Sequence, residues 1–173
     1  MANLYMRIGE NKVEGAATLD LEGSPNNTLF AVSSVHWGAN RSVNMDPGNT
    51  VNADAGEIML DTIGVHRNYD GASELILSRF YRPNKEPEDI EIIYVKQYDN
   101  TNKRFLQVKL IGGRICHYHT ELQDGSYPVE SFGIYYTEVE TQFWHSDPKD
   151  GSIKAGGMVG YNMDNKTVTA AMK

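Results

Sequence analysis

The stretch from residue 90 to residue 121 constrains the fold of this chain more than any other part of its sequence. It contains the run IEIIYVKQY (90–98), which is rich in β-branched and aromatic residues, and the longer run RFLQVKLIGGRICHYHTE (104–121). The polar turn Asp99-Asn100-Thr101-Asn102 separates them, and this pattern predicts two antiparallel strands joined as a hairpin. Because apolar residues follow one another in the first run, we expect it to form a central strand that is buried on both faces.

Similar short runs, separated by turn residues, recur along almost the whole chain, as in an all-β sandwich or barrel. Further strands are predicted at residues 4–8, 17–21, 28–38, 57–67 and 130–145, with a last short strand at KTVTA. The length of 173 residues is enough for one domain with its own core, and nothing divides the chain into two. We therefore predict one domain over residues 1–173.

One segment has the period of a helix. Ala72, Ile76 and Phe80 lie four residues apart, which places them on one apolar stripe of a helix over about residues 71–82. Asp70 or Ser73 can cap its start, and Pro83 ends it. The predicted fold class is therefore mainly β: a single-domain β-barrel of two packed sheets with one α-helix.

Charge and cysteine content exclude several classes of protein. The formal net charge is −7 and the basic residues form no stripe, which argues against nucleic acid or an anionic membrane surface as the main partner. Cys116 is the only cysteine, so no intrachain disulfide is possible. The N-terminal segment reads directly as a first strand, so we expect no signal peptide, and no apolar run approaches the length of a membrane span.

CHYHTE, residues 116–121, contains the strongest candidate for a metal site. His117, His119 and Glu121 lie at alternate positions, so on a strand they share one face, and two imidazoles with a carboxylate are suitable ligands for zinc. The metal-binding cupin jelly rolls use a related pattern, but they have a glycine where this chain has Ile111. They also have three or four residues between the second histidine and the glutamate, whereas one residue separates His119 from Glu121 here. We therefore expect no metal and no cofactor, and keep a cupin-like protein or enzyme using His117 and His119 as an alternative.

No other motif predicts catalysis. Trp144-His145-Ser146-Asp147 contains the residue types of a hydrolase triad, but triad members meet across a fold and the chain has no G-x-S-x-G elbow. The glycines at 156–160 are not followed by the Lys-Ser/Thr of a phosphate loop. We expect the protein not to be an enzyme.

The segment DPGNTVNADAG, residues 46–56, is the most loop-like part of the chain. A loop of this length inside a compact domain is often an interaction element. Its candidate contact residues are Asp46, Pro47, Asn49, Thr50, Val51, Asn52 and Asp54.

Several short blocks occur in the order of a known family. They are S-x-x-W-G at 34–38, D-G-A-S at 70–73, F-L-Q-V-K-L at 105–110, and the stretch from Y-P-V-E-S-F-G to G-Y-N-M-D-N-K at 127–166. In this order and spacing the chain resembles Hcp, the haemolysin-coregulated tube protein of bacterial type VI secretion systems. It departs from the family at Tyr161-Asn162, where Trp followed by Asp or Ser is usual, and at Thr141, where Trp is common.

The resemblance implies a structural protein that assembles into a homo-hexameric ring. Rings would stack into a hollow tube that a contractile sheath ejects together with a spike of the VgrG type. The lumen would carry or stabilise small effector proteins. The protein would be made in the bacterial cytoplasm and secreted by the type VI system, with no nucleic acid or membrane partner. The 46–56 loop would mediate ring stacking, so deleting Pro47 to Asp54 would leave rings but no tubes. The tube protein of a phage tail or of a related contractile injection machine is a further alternative.

Overall fold

A computed structural model describes residues 3–13, 17, 19, 21, 27–44, 54–83 and 85–171. Strands dominate these ranges and one helix is present among them, so the predicted mainly-β class is confirmed. None of the helical segments in the described ranges is able to span a lipid bilayer. The elements are β1 (Leu4–Ile8), β2 (Phe30–Ala31), β3 (Ser34–His36), β4 (Ala39–Asn44), β5 (Asp54–Leu60), β6 (Ile63–Asn68), α1 (Ala72–Tyr81), β7 (Glu88–Tyr98), β8 (Thr101–Glu121), β9 (Val129–Tyr135), β10 (Glu138–Ser146), β11 (Ile153–Asn162) and β12 (Thr167–Ala171).

Two layers of strands form the body of the structure, and β8 is long enough to belong to both. Layer 1 has the order β12-β11-β10-β8-β7-β1-β2, and layer 2 has the order β3-β6-β9-β8. Every described strand pairing is antiparallel, and β4 and β5 form a separate two-stranded sheet. Residues 32 and 33 connect β2, at the edge of layer 1, to β3, at the edge of layer 2. The Val32 amide donates to the Leu4 carbonyl of β1, and the Ser33 amide donates to the His66 carbonyl of β6.

The main core lies between the two layers. Layer 1 contributes Met6, Ile92 and Leu110, and layer 2 contributes Val65 and Phe132, all of them almost fully buried. Alternate residues of each strand point inward, which is the period-2 pattern expected for packed sheets. The predicted central position of the 90–98 strand is confirmed, because β7 lies between β8 and β1.

The helix α1 begins one residue after and ends one residue before the predicted bounds. The Asp70 carboxylate accepts a hydrogen bond from the Ala72 amide at 2.8 Å, and the Ser73 hydroxyl accepts one from the Asp70 amide at 3.1 Å. These bonds satisfy amides that a helix start leaves unpaired. Ala72 and Ile76 are fully buried, so the predicted apolar stripe is the face that packs on the core.

A buried polar network connects this helix start to layer 2. Arg67 on β6 and Glu130 on β9 are register partners, both about 1% exposed, and the Arg67 Nη1 lies 3.2 Å from Glu130 Oε1. The Ser73 hydroxyl donates to Glu130 at 2.8 Å, and the Tyr118 hydroxyl donates to Glu130 at 2.7 Å. Burial, with the hydrogen bonds to Tyr69 and Glu130, raises the pKa of Tyr118 well above its ordinary value. The D-G-A-S block therefore has a structural role in both capping and ion-pair formation.

Three of the predicted strands are wrong in their continuity. The 130–145 run is divided at residues 136–137 into β9, which belongs to layer 2, and β10, which belongs to layer 1. The 28–38 run is divided into β2 and β3, because the chain passes from layer 1 to layer 2 at residues 32–33. The 57–67 run is divided at residues 61–62 into β5 and β6, which pair with different partners. The predicted loop 46–56 is also too long, since residues 54–56 belong to β5. The predicted strand at 17–21 falls partly outside the described residues, and its described positions are not assigned to a strand.

Candidate assembly surfaces

A second hydrophobic cluster covers part of the outward face of layer 1. Tyr5, Ile93 and Val95, on β1 and β7, point away from the main core and are nevertheless buried. They pack against Leu21 and Leu29 in the segment that connects β1 to β2. The described apolar residues of this segment cover the outward face over β1 and β7, which explains why apolar residues follow one another in the sequence of β7.

The outward face of layer 1 beyond β7 forms a concave surface with a cavity of about 460 Å³. Its walls belong to β8, β10 and β11 and combine apolar groups with amides and charges. The Gln142 side-chain amide donates to the Gly156 carbonyl at 3.0 Å, which fixes it beside an irregularity in the pairing of β10 with β11. The lining residues are Gln107, Lys109, Glu140, Gln142, Trp144, Ala155, Gly156 and Met158.

Charges alternate along one row of register partners that enters this concave surface. Arg7, Glu91, Lys109 and Glu140 are successive partners on β1, β7, β8 and β10. Arg7 makes two hydrogen bonds to Glu91, at 2.7 and 3.0 Å. A hydrogen bond to Asp89, 3.0 Å away, raises the pKa of Lys109, with smaller contributions from neighbouring carboxylates. Lys109 and Glu140 therefore place a fixed positive and a negative charge on the floor of the cavity.

The outward face of layer 2 has a different composition. Register partners place His36, Gly64, Gly133 and His117 in one row across four strands. The adjacent row contains Ser34, His66, Ser131 and His119. All four histidines are exposed, whereas their strand neighbours Val65, Phe132 and Ile134 are buried in the core. This surface is called the histidine face below.

The predicted metal-ligand candidates lie on the histidine face. His117, His119 and Glu121 are exposed on β8, and they share this face because they alternate without interruption at the end of the strand. The strand has two irregularities before them, near residues 110–113 and between Ile115 and His117. Each irregularity shifts the alternation by one residue, so the two shifts cancel and the phase of Gln107 and Lys109 is kept. Within the ranges that the structure describes, no three His, Cys, Asp or Glu side chains are placed to hold a metal ion together.

The loop predicted to mediate stacking is carried by β4 and β5. Asp46, Pro47, Asn49, Thr50, Val51 and Asn52 lie outside the described residues, and Asp54 is the first residue of β5. The backbones of Asn44 and Asp54 are register partners, so the two strands hold both ends of this segment together. Lys166, between β11 and β12, forms an ion pair with Glu57 of β5 at 2.9 Å, and both side chains are largely exposed.

Two features of these surfaces were not found from the sequence. The sequence does not place His36 and His66 beside His117 and His119, because register across strands is a tertiary property that a single strand does not encode. The concave surface depends on the pairing of β10 with β11, and no strand was predicted where β11 lies. The small residues at 155–160 are a signal that could have indicated a close approach of strands there.

Comparisons with known proteins agree with the fold and identify a family. Residues 5–143 match the family model described as "Type VI secretion system effector, Hcp". No curated protein matches the sequence significantly.

Solved structures of the same fold cover almost the whole chain. A type six secretion system protein of known structure is 19% identical, with a TM-score of 0.75, and the match covers 98% of this chain and 100% of the other. Hcp1 from Salmonella typhimurium is 13% identical, with a TM-score of 0.63, over 98% of this chain and 100% of the other. A chain of the six-fold symmetrised baseplate of the anti-feeding prophage is 10% identical, with a TM-score of 0.52, over 82% and 93%. At these identities the structures establish the fold.

Proposed function

This chain belongs to the Hcp family of type VI secretion proteins, and from that premise we propose that it is a structural subunit of the secretion tube. Six copies form a ring, and rings stack into a hollow tube. The family match over residues 5–143 carries this proposal. The fold also occurs in a chain of a six-fold symmetrised baseplate, which supports six as the number of subunits in the ring.

A cyclic ring needs two different contact patches on each subunit, because its contacts are heterologous. We assign one patch to the concave surface of layer 1. Trp144 and Met158 supply apolar area there, while Lys109 and Glu140 supply charges that fix the orientation of a neighbour. Stable interfaces combine a buried apolar centre with a polar rim in this way.

Stacking of rings is assigned to the segment between β4 and β5. The strands hold its ends together through the Asn44–Asp54 pair, and they make no strand pairs with the rest of the described structure. A polar loop on such a hairpin suits a reversible contact, which needs little apolar area.

The remaining partners follow from the family. We propose that a contractile sheath ejects the tube with a spike of the VgrG type, and that the lumen carries or stabilises small effector proteins. Secretion by the type VI machinery follows from the same assignment. We infer a structural role without catalysis. The baseplate match also supports a tube subunit of a related contractile injection machine, and the genes next to this one distinguish the two.

Paired substitutions test the two contact surfaces. Met158→Arg places a charge in the concave surface and is expected to leave folded monomers, whereas Leu122→Arg, at an exposed loop position, is expected to leave rings. Replacing residues 45–53 by Asn-Gly closes the hairpin with a two-residue turn that fits the Asn44–Asp54 pair. For this loop replacement, native mass measurement and electron microscopy should show rings that no longer stack. Rings from Met158→Arg, or normal tubes from the loop replacement, would contradict the assignments.

A further inference from the structure

Four of the five histidines of the chain lie on one exposed face of one sheet. They are His36, His66, His117 and His119, and they occupy two adjacent rows on β3, β6, β9 and β8. The fifth, His145, is exposed on β10 of layer 1. Scattered surface histidines would not be expected to collect in two neighbouring rows, so the histidine face is a distinct chemical surface.

The middle of this face is made of glycines that leave room for two of the rings. A methyl group added to Gly64 would overlap the His36 imidazole, and one added to Gly133 would overlap the His117 imidazole. Both rings therefore lean inward over the two central strands. Because Gly64 and Gly133 are register partners, the two rings lie over neighbouring strands of the same row.

The other charged and titratable groups of the face are few. Arg114 and Glu121 lie at the two ends of the part of β8 that pairs with β9. Cys116 has its sulfur 3.7 Å from His117 Nδ1, and Tyr135 is exposed on β9. The remaining outward residues of β3, β6 and β9 are Ser34, Asn68, Val129 and Ser131. Asp61 lies beyond the β3 edge, where Asn40 donates to its carboxylate. With neutral histidines, Arg114 and Glu121 offset each other and the face has almost no net charge.

Acidification changes this balance. Histidine is the side chain whose ordinary ionisation falls between pH 5 and 8, so a face that carries four of them is the part of the described surface whose charge depends most on pH in that range. Positive charge gained there lies on one face of a chain whose formal net charge is −7. The outward residues of this face are mostly polar, and apart from Tyr135 and Val129 they offer little apolar area.

We propose that the histidine face is a docking surface for acidic polypeptide segments, which bind more tightly as the solution is acidified. Charge complementarity identifies the partner, because the face offers imidazolium groups and a single fixed carboxylate. A nucleic acid is a poorer match, since binding of phosphate backbones relies on fixed Lys and Arg charges and the face contains one Arg. The surface belongs to the folded subunit and does not depend on ring formation.

The test measures binding of a rhodamine-labelled aspartate decamer by fluorescence anisotropy at pH 8.0 and pH 6.0, both above the pI of about 5.2. In low salt we expect the dissociation constant to fall about tenfold or more at the lower pH, and to rise again in about 0.5 M salt. A neutral Ser-Gly decamer should not bind at either pH. A thymidine oligonucleotide of equal charge is the competing ligand, and tighter binding of it than of the peptide would overturn the proposal.

Variants locate the effect on this face. Replacing His36, His66, His117 and His119 together by Gln should abolish the pH-dependent gain, whereas the matched control His145→Gln should retain it. If the quadruple variant does not fold, the two doubles, His36→Gln with His117→Gln and His66→Gln with His119→Gln, should each lose part of the gain. An undiminished gain in these variants, or an equal loss in His145→Gln, would refute the proposal. Native mass measurement of the same samples reports ring formation separately, so failure of one proposal is not mistaken for failure of the other.

Discussion

Replacing Glu130 by Gln tests the buried ion pair that joins α1 to layer 2. The substitution keeps the size of the side chain. Ser73 and Tyr118 donate to different carboxylate oxygens, at 2.8 and 2.7 Å, so the one amide oxygen of Gln keeps one of these two hydrogen bonds. The substitution removes the charge opposite Arg67, whose side chain is 1% exposed. Asp70 remains as an ion-pair partner of Arg67, but its side chain is 34% exposed.

Breaking a buried pair by neutralising one member costs roughly 3–5 kcal/mol, because the remaining charge stays buried without a full counter-charge. Since Asp70 compensates in part, we expect a loss near the lower end, about 3 kcal/mol of unfolding free energy. For a chain of this size that corresponds to a fall in Tm of roughly 6–12 °C. Urea unfolding followed by circular dichroism, at one protein concentration, measures the loss.

The matched control is Glu57→Gln, which removes an ion pair with Lys166 in which both side chains are 62% exposed. Exposed pairs contribute about 0–1 kcal/mol, so this variant should be almost as stable as the parent. A second variant, Arg67→Met combined with Glu130→Gln, should recover part of the loss because no charge is then left buried. A loss from Glu130→Gln no larger than that from Glu57→Gln would refute the reasoning.

Three further predictions concern the core, a glycine and the concave surface. Burial raises the pKa of Tyr136 to about 12, so the stability that it contributes should be present below pH 10 and lost as the pH rises from 10 to about 12, by about 2–3 kcal/mol. In the Tyr136→Phe variant, the free energy of unfolding measured in urea should fall much less over that range of pH. Gly133→Ala should cost less than about 1 kcal/mol, because the group it displaces is the mobile end of His117, but it should shift the His117 ring signals in NMR spectra. Met158→Arg should leave the circular dichroism spectrum unchanged while removing rings from native mass spectra.

Local sequence patterns predicted most of the elements. The period of Ala72, Ile76 and Phe80 gave the helix to within one residue at each end, because capping and apolar spacing are local properties. The 90–98 run was correctly placed at the centre of a sheet, because burial on both faces leaves a continuous apolar run in the sequence.

Long-range pairing could not be predicted in the same way. The strands predicted at 28–38, 57–67 and 130–145 each proved to be two strands with different partners, since a change of partner leaves only a weak signal in an apolar run. The histidine face depends on register across four strands. The sequence therefore shows that His117 and His119 are close together, but it does not show that His36 and His66 lie beside them. The concave surface likewise required the pairing of β10 with β11.

The measurement that tests the central claim most directly is the native mass of the purified chain, combined with negative-stain imaging. The account predicts an assembly of six 19.4 kDa subunits that appears as a ring with an open centre. This account would be contradicted by a chain that stays monomeric at concentrations at which rings are expected. It would also be contradicted by a closed assembly with a different number of subunits.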